Sequence, residues 1–203
     1  MMRHVALAVF AASCLVSCES DAPYEPANKP EQIEYKRARL DVYPDDVRKD
    51  PAHFTSTPVA WVGVIRSTDA QEDDFGGKIS AETIFEHHYF DWEQDTDAAG
   101  VNLLVSPRGE GSFSCHWKMR KRNNDASAYD AEKFAYAGKL AIVYGVPESV
   151  NADGTVVLKY CYLRILDRGH FSTNEIDYGR LGLEPYRPIG VPPEPAARNA
   201  ASQ

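Results

Sequence analysis

The sequence predicts a mainly β protein: a small five-stranded barrel, one helix between its third and fourth strands, and a Pro-rich segment on either side. Three observations carry this. Phe113, Cys115, Trp117 and Met119 alternate with Ser112, Ser114, His116 and Lys118, the period of two of a half-buried strand. Eleven of the 13 prolines fall at 23–58 and 185–195, leaving only Pro107 and Pro147 between Val59 and Glu184. Within that middle stretch one segment alone, 127–138, reads as a good helix.

The elements follow in order. "PVAWVGVIRS" (58–67) is a β-rich run closed by the polar loop "TDAQEDDFGGK". Gly63 inside it suits the sharp bend of a small barrel. "TIFEHHYFDWE" (83–93) is the second strand, and "GVNLLVSPRGEGSFSCHWKM" (100–119) is a long third one broken by a turn at 107–111. Ser127 and Asp130 make a capping box for the helix and Gly138 stops it. "KLAIVYGVPE" (139–148) and "GTVVLKYCYLRIL" (154–166) are the last two strands, joined by "NADG". Three strands, a helix and two strands is the order of an oligonucleotide/oligosaccharide-binding (OB) barrel; a β-sandwich needs more strands.

"DAPYEPANKPEQ" and "PYRPIGVPPEPAARNAASQ" bury little apolar surface and favour extended, solvated chain. The expected organisation is a leader at 1–17, a tether at 18–55 carrying one short helical turn near 45–54, the barrel at 56–168 and a tail at 169–203.

The leader is read from "MMRHVALAVFAASCLVSCES". Arg3 gives a positive start, Val5 to Val16 an uncharged apolar run, and small residues close it; this is the layout of a secretory signal. About a dozen apolar residues are too few to span a bilayer, which takes roughly 20. Leu15-Val16-Ser17-Cys18 resembles the lipobox of bacterial lipoproteins. The resemblance implies cleavage before Cys18, a diacylglyceryl thioether on its sulfur and a palmitate-type acyl chain on its amine. Two or more chains anchor a protein stably where one holds it marginally. The alternative is an ordinary secreted chain with Cys18 a thiol. Glu19 in place of the Asp that commonly retains enteric lipoproteins in the inner membrane leans toward the outer membrane.

Leader, tether and barrel together resemble the Slp-type outer-membrane lipoproteins. "VAWVGVI" (59–65) stands where that family carries an Arg-Trp-Gly-Gly-like first strand, and "GEGSF" (109–113) precedes the second half of the third. Val62 replaces a family Gly, and no Arg precedes Trp61. The resemblance implies an outer-membrane location and an OB-like fold, and brings no catalytic residue.

Cleavage removes Arg3 and leaves 186 residues with 21 basic and 30 acidic side chains, net −9. An exported chain of this charge is a poor partner for nucleic acid. Cys115 and Cys161 face inward on strands that neighbour each other in an OB barrel. A disulfide is expected there, closing a loop of 46 positions and contributing about 4 kcal/mol; two buried cysteines acting as small hydrophobes are the alternative. His87 and His88 are adjacent on one strand and point to opposite faces, so they do not share a metal with Asp91 or His116, and no metal or cofactor is expected. Asp91, Glu93, Asp95 and Asp97 read as a solvated loop rather than an acid–base pair. Trp61, Trp92 and Trp117 are core or sugar-stacking rings.

Lys118, Arg120, Lys121 and Arg122 put four positive charges in five residues of an acidic domain. They are candidate ligands for anionic envelope lipid or glycan, or a solvated loop. The expected function is a lipid-anchored, non-catalytic binding or structural module of the cell envelope. A periplasmic hydrolase and an accessory subunit of an envelope complex are the rival classes.

Overall fold

The computed structural model describes residues 23–72, 78–96, 102–120, 128–166 and 169–171. The leader, Cys18, Asp97, Lys121, Arg122 and the tail beyond 171 lie outside the described residues. Among the described residues no helix is long and apolar enough to cross a membrane.

The chain is mainly β, with a closed five-stranded barrel and few helices. The barrel strands are β1 (Val59–Glu72), β2 (Lys78–His88), β4 (Ser112–Arg120), β5 (Leu140–Val150) and β6 (Val156–Leu166). They close in the order β1-β2-β4-β6-β5. Every pairing is antiparallel except β4 with β6, which runs parallel over Phe113–Cys115 against Val156–Leu158. Helix α4 (Ala128–Phe134) lies between β4 and β5 in sequence. Two short strands, β3 (Leu103–Val105) and β7 (Gly169–Phe171), pair with each other in parallel outside the barrel. The first half of the expected third strand thus leaves the barrel, and the expected tail begins with a strand.

Side-chain alternation fills the barrel. Trp61, Phe85, Phe113, Cys115, Val143 and Leu158 form the inner core. Phe85 stacks on Phe113 at 4.9 Å and Trp61 meets Phe113 edge-on at 5.2 Å. β1 and β5 are buried on both faces near their start, because a second cluster of Tyr24, Phe90, Trp92 and Leu103 covers Ala60, Val62 and Ile142 from outside. That is why "VAWV" and "LAIVY" read as continuous apolar runs rather than alternating ones.

Gly63 serves close approach rather than bending. A Cβ there would lie 2.9 Å from the Glu86 carbonyl and from the Phe113 ring, while the register shift that bends β1 falls between Ile65 and Ser67.

The stretch expected as a tether is, from residue 23 onward, part of the folded body. It forms α1 (Lys29–Arg37), α2 (Pro44–Lys49) and α3 (Pro51–Phe54). Each carries a proline in its first turn, where the missing N–H costs nothing. Helices this short do not persist alone. Tyr24, Val42, Tyr43 and Val47 are buried against the barrel, and each large apolar side chain so buried contributes about 1.5–3 kcal/mol. The Trp61 indole N–H donates to the Val42 carbonyl at 2.7 Å.

Candidate functional site

The outer face of β1, β2 and β4 carries two cross-strand rows. Gln71 pairs with Ser80 and Ser80 with Lys118; Asp69 pairs with Glu82 and Glu82 with His116. Period-two geometry puts these six side chains on one face, and they line a groove of about 420 Å³. Five of them are exposed and Glu82 is half-buried. His116 Nε2 lies 3.9 Å from Glu82 Oε1. The face combines carboxylate acceptors, an ammonium donor, and an amide and a hydroxyl that do both.

Lys118 therefore sits in a groove it shares with Asp69 and Glu82. The described part of the expected basic site is mixed in sign. Arg120 ends β4 opposite Lys78, and Lys121 and Arg122 lie outside the described residues.

Of the three tryptophans only Trp117 is among the described lining residues of the groove. Trp61 and Trp92 are buried. Trp117 is on the inner side, where its indole N–H donates to Thr83 Oγ1 at 2.9 Å and its ring packs against Phe134 of α4 at 5.9 Å.

The expected Cys115–Cys161 bridge is not formed. Both are free thiols, and the pair stands 3.9 Å apart, against about 2.05 Å for a disulfide. The topology explains the gap: β6 pairs with β4 only as far as Leu158, so Cys161 lies three residues past the last rung. Its Sγ–H donates to the Leu158 carbonyl at 3.4 Å. Burial raises the Cys115 thiol well above the ordinary range.

His87 and His88 are both buried in separate settings. Nδ1 of His87 accepts the Glu110 N–H at 3.1 Å, and Nδ1 of His88 lies 2.9 Å from the Ser106 carbonyl. Burial lowers the His87 pKa to about 3, so its ring is neutral and its Nδ1 is free to accept. The Tyr89 hydroxyl donates to Glu110 at 2.6 Å, and the Asp45 N–H donates to the other Glu110 oxygen at 2.7 Å. This web ties α2 to the β2 end and the 106–111 loop. Asp91 and Asp95 form a tight turn: Asp95 accepts the Asp91 N–H at 2.7 Å, and Asp91 accepts the Glu93 N–H at 3.0 Å. Both are buried, unlike the solvated loop expected.

One buried polar cluster was not foreseen. Glu31 of α1 has no exposed surface. It accepts from the Tyr24 hydroxyl, from the Ala27 N–H at 2.7 Å and from the Tyr144 hydroxyl at 3.2 Å. Arg164 of β6 stands 3.5 Å from it and donates to the Tyr24 hydroxyl at 2.5 Å. The signal for α1 was Asn28 three residues before Glu31, an N-cap whose side chain accepts the Glu31 N–H at 3.0 Å.

The chain matches no family model, no curated protein and no solved structure.

Proposed function

We propose that this chain is a lipid-anchored envelope protein whose OB-like barrel binds a glycan on the outer β1–β2–β4 face. The observation that carries the binding reading is the groove of about 420 Å³ with its two polar cross-strand rows. Hydroxyl-rich ligands are recognised by such convergent donors and acceptors. A nucleic acid strand needs aromatic platforms and a positive track, and among the described residues the groove places one lysine, Lys118, with two carboxylates, Asp69 and Glu82.

The OB assignment is supported by the order β1-β2-β4-β6-β5 with its one parallel pair, and by α4 between the third and fourth barrel strands. Strands two and three of such barrels carry their ligand face; here those strands are β2 and β4. The anchor rests on Leu15-Val16-Ser17-Cys18 behind a short apolar run, and the outer membrane is the proposed location.

The test uses a chain of residues 19–203 titrated with cell-wall glycan fragments and lipopolysaccharide core oligosaccharide. Saturable binding that Glu82→Gln and Lys118→Ser each weaken supports the reading. Absence of binding to both glycan classes by the folded chain removes it. The anchor is tested separately: Cys18→Ser is expected to release the exported chain from membranes, and unchanged membrane partitioning with an unacylated wild-type N-terminus removes the lipoprotein reading.

A further inference from the structure

Helix α1 turns a basic face outward. Its Glu31 has no exposed surface. At 3.6 residues per turn, Lys29, Ile33, Lys36 and Arg37 fall within an arc of about 100° on the side away from Glu31. All four are exposed, Ile33 by 50 %. The Glu31 charge is met by Arg164. Glu34, the other acid of the helix, is half-buried and lies 3.7 Å from Arg37. The outer face thus sets three positive charges against one negative, on a chain of net charge −8.

The helix lies along β6. The Asn28 side-chain amide at its start donates to the Tyr162 hydroxyl at 3.1 Å, and Arg37 at its end lines a cavity of about 270 Å³ together with Tyr160. Tyr160 is 84 % exposed on strained backbone. Tyr144 pairs with Tyr162 and Val146 with Lys159, so Gly145 alone faces both Tyr160 and Cys161. This bulge holds Tyr160 at φ 54°, the left-handed region where glycine is the usual residue. Among the described residues it is the one non-glycine residue with positive φ. A ring so exposed gains little packing to offset that strain, and such outliers cluster where a residue serves binding.

We infer that α1 and the β6 bulge form one contact surface for an anionic phospholipid membrane, with Lys29, Lys36 and Arg37 on headgroup phosphates and Ile33 and Tyr160 in the headgroup layer. The charge of this face suits a polyanionic surface, whereas the acidic remainder of the chain is repelled by it, so contact is confined here. Tyrosine is a side chain that settles at headgroup depth, ring inward and hydroxyl in water. Two apolar side chains among three cations fall short of the apolar core of a stable protein interface, but they suit adsorption to a lipid surface.

The position of the face agrees. Tyr24 follows Cys18 by six residues, at most about 20 Å of chain, and its hydroxyl donates to Glu31 on the inner side of α1. The choice of a membrane as partner rests on the reading of Cys18 as an anchor. A short tether gives an effective concentration of about 1 mM, so a weak contact is enough to fix which way the anchored barrel faces.

The experiment uses the chain of residues 19–203, which lacks Cys18, sedimented with phosphatidylcholine vesicles that contain or lack phosphatidylglycerol. Half-retention is expected near about 1 mM lipid on the anionic vesicles at low salt, falling several-fold as salt is raised, with little retention on the neutral ones. Lys29→Gln combined with Lys36→Gln is expected to weaken retention about ten-fold or more. Tyr160→Gly is expected to weaken it about three-fold while leaving the melting temperature within about 2 °C of wild type. Lys133→Gln, which removes a like charge from α4, is expected to change it less than about two-fold. No retention of the folded chain at about ten times that lipid concentration, equal retention on neutral vesicles, or equal weakening by Lys133→Gln and the double variant overturns the proposal. Wild-type protein acylated at Cys18 whose 19–203 chain ignores anionic vesicles keeps the anchor and removes this contact. Vesicle binding by a chain that is never acylated keeps the contact and removes the anchor.

Discussion

Glu31, fully buried, and Arg164, partly buried, form a pair 3.5 Å apart that joins the first helix to the last barrel strand across 133 positions of sequence. With Tyr24 and Tyr144 on the same carboxylate, it fixes to the barrel the segment that was expected as a tether. The folded body therefore starts within a few residues of Cys18, and the described faces of the barrel are presented close to any surface that Cys18 is fixed to.

Glu31→Ala leaves the Arg164 charge without its partner and removes the acceptor of two hydroxyls and the Ala27 N–H. Breaking a buried pair in this way costs about 3–5 kcal/mol. Urea denaturation should show a loss of that order, and Glu31→Gln, which keeps an acceptor, a smaller one. A loss under about 0.5 kcal/mol for Glu31→Ala would show that the segment is held by its apolar contacts alone.

His87 is neutral and buried, with its pKa lowered to about 3. An unfolded histidine titrates near about 6.5, so between these values the unfolded state binds the extra proton. Unfolding free energy then falls with falling pH by up to about 1.4 kcal/mol per unit from this group. The contribution is fully present above pH 6.5 and is lost as pH falls toward 3. Stability measured from pH 7 to 4 should slope less in His87→Gln than in wild type. Parallel slopes would contradict the burial of this ring.

Gly109 meets the β2 end so closely that a Cβ would lie 1.6 Å from the His87 carbonyl oxygen. Gly109→Ala cannot be absorbed by a side-chain shift, because the obstacle is backbone. A loss of about 2 kcal/mol or more is expected in thermal or urea unfolding, the range of an overpacked site. Unchanged stability would mean that the 106–111 loop does not pack on the strand.

The thiol pair gives an order of reaction. Cys115 is buried and its thiol is raised, whereas Cys161 is half-buried. Under a small alkylating reagent Cys161 should be modified first. With oxidised glutathione the mixed disulfide formed at Cys161 should be resolved by Cys115 into a linked peptide pair, visible by mass spectrometry. Stable glutathione on Cys161 with Cys115 still a thiol would show that the gap between them does not close.

The barrel was legible in the sequence because its strands alternate. Phe113 and Cys115 enter the core and His116 and Lys118 stay outside, as their spacing said, and the 151–154 turn carries Gly154 at φ 85°. The N-terminal segment was not legible as folded. Pro30 counted as a mark of extended chain and only one short helical turn was expected, near 45–54, yet Pro30, Pro44 and Pro51 each sit in the first turn of a helix. The apolar residues that hold that segment, Tyr24, Val42 and Val47, follow no period, since they reach the barrel from turns and short helices. The groove was hidden for a related reason. Asp69, Glu82 and Lys118 share one face only through strand register.

The most direct test of glycan binding on the β1–β2–β4 face is a calorimetric or NMR titration of the 19–203 chain with envelope oligosaccharides, run in parallel on Glu82→Gln. Glu82 is half-buried and at the centre of the outer rows, so the substitution alters the groove without touching the core. The account predicts saturable binding that Glu82→Gln weakens about five-fold or more, the loss of one charge-assisted hydrogen bond, with shifts confined to residues of the groove. Binding of equal strength in both proteins, or shifts that map to another face, would contradict it.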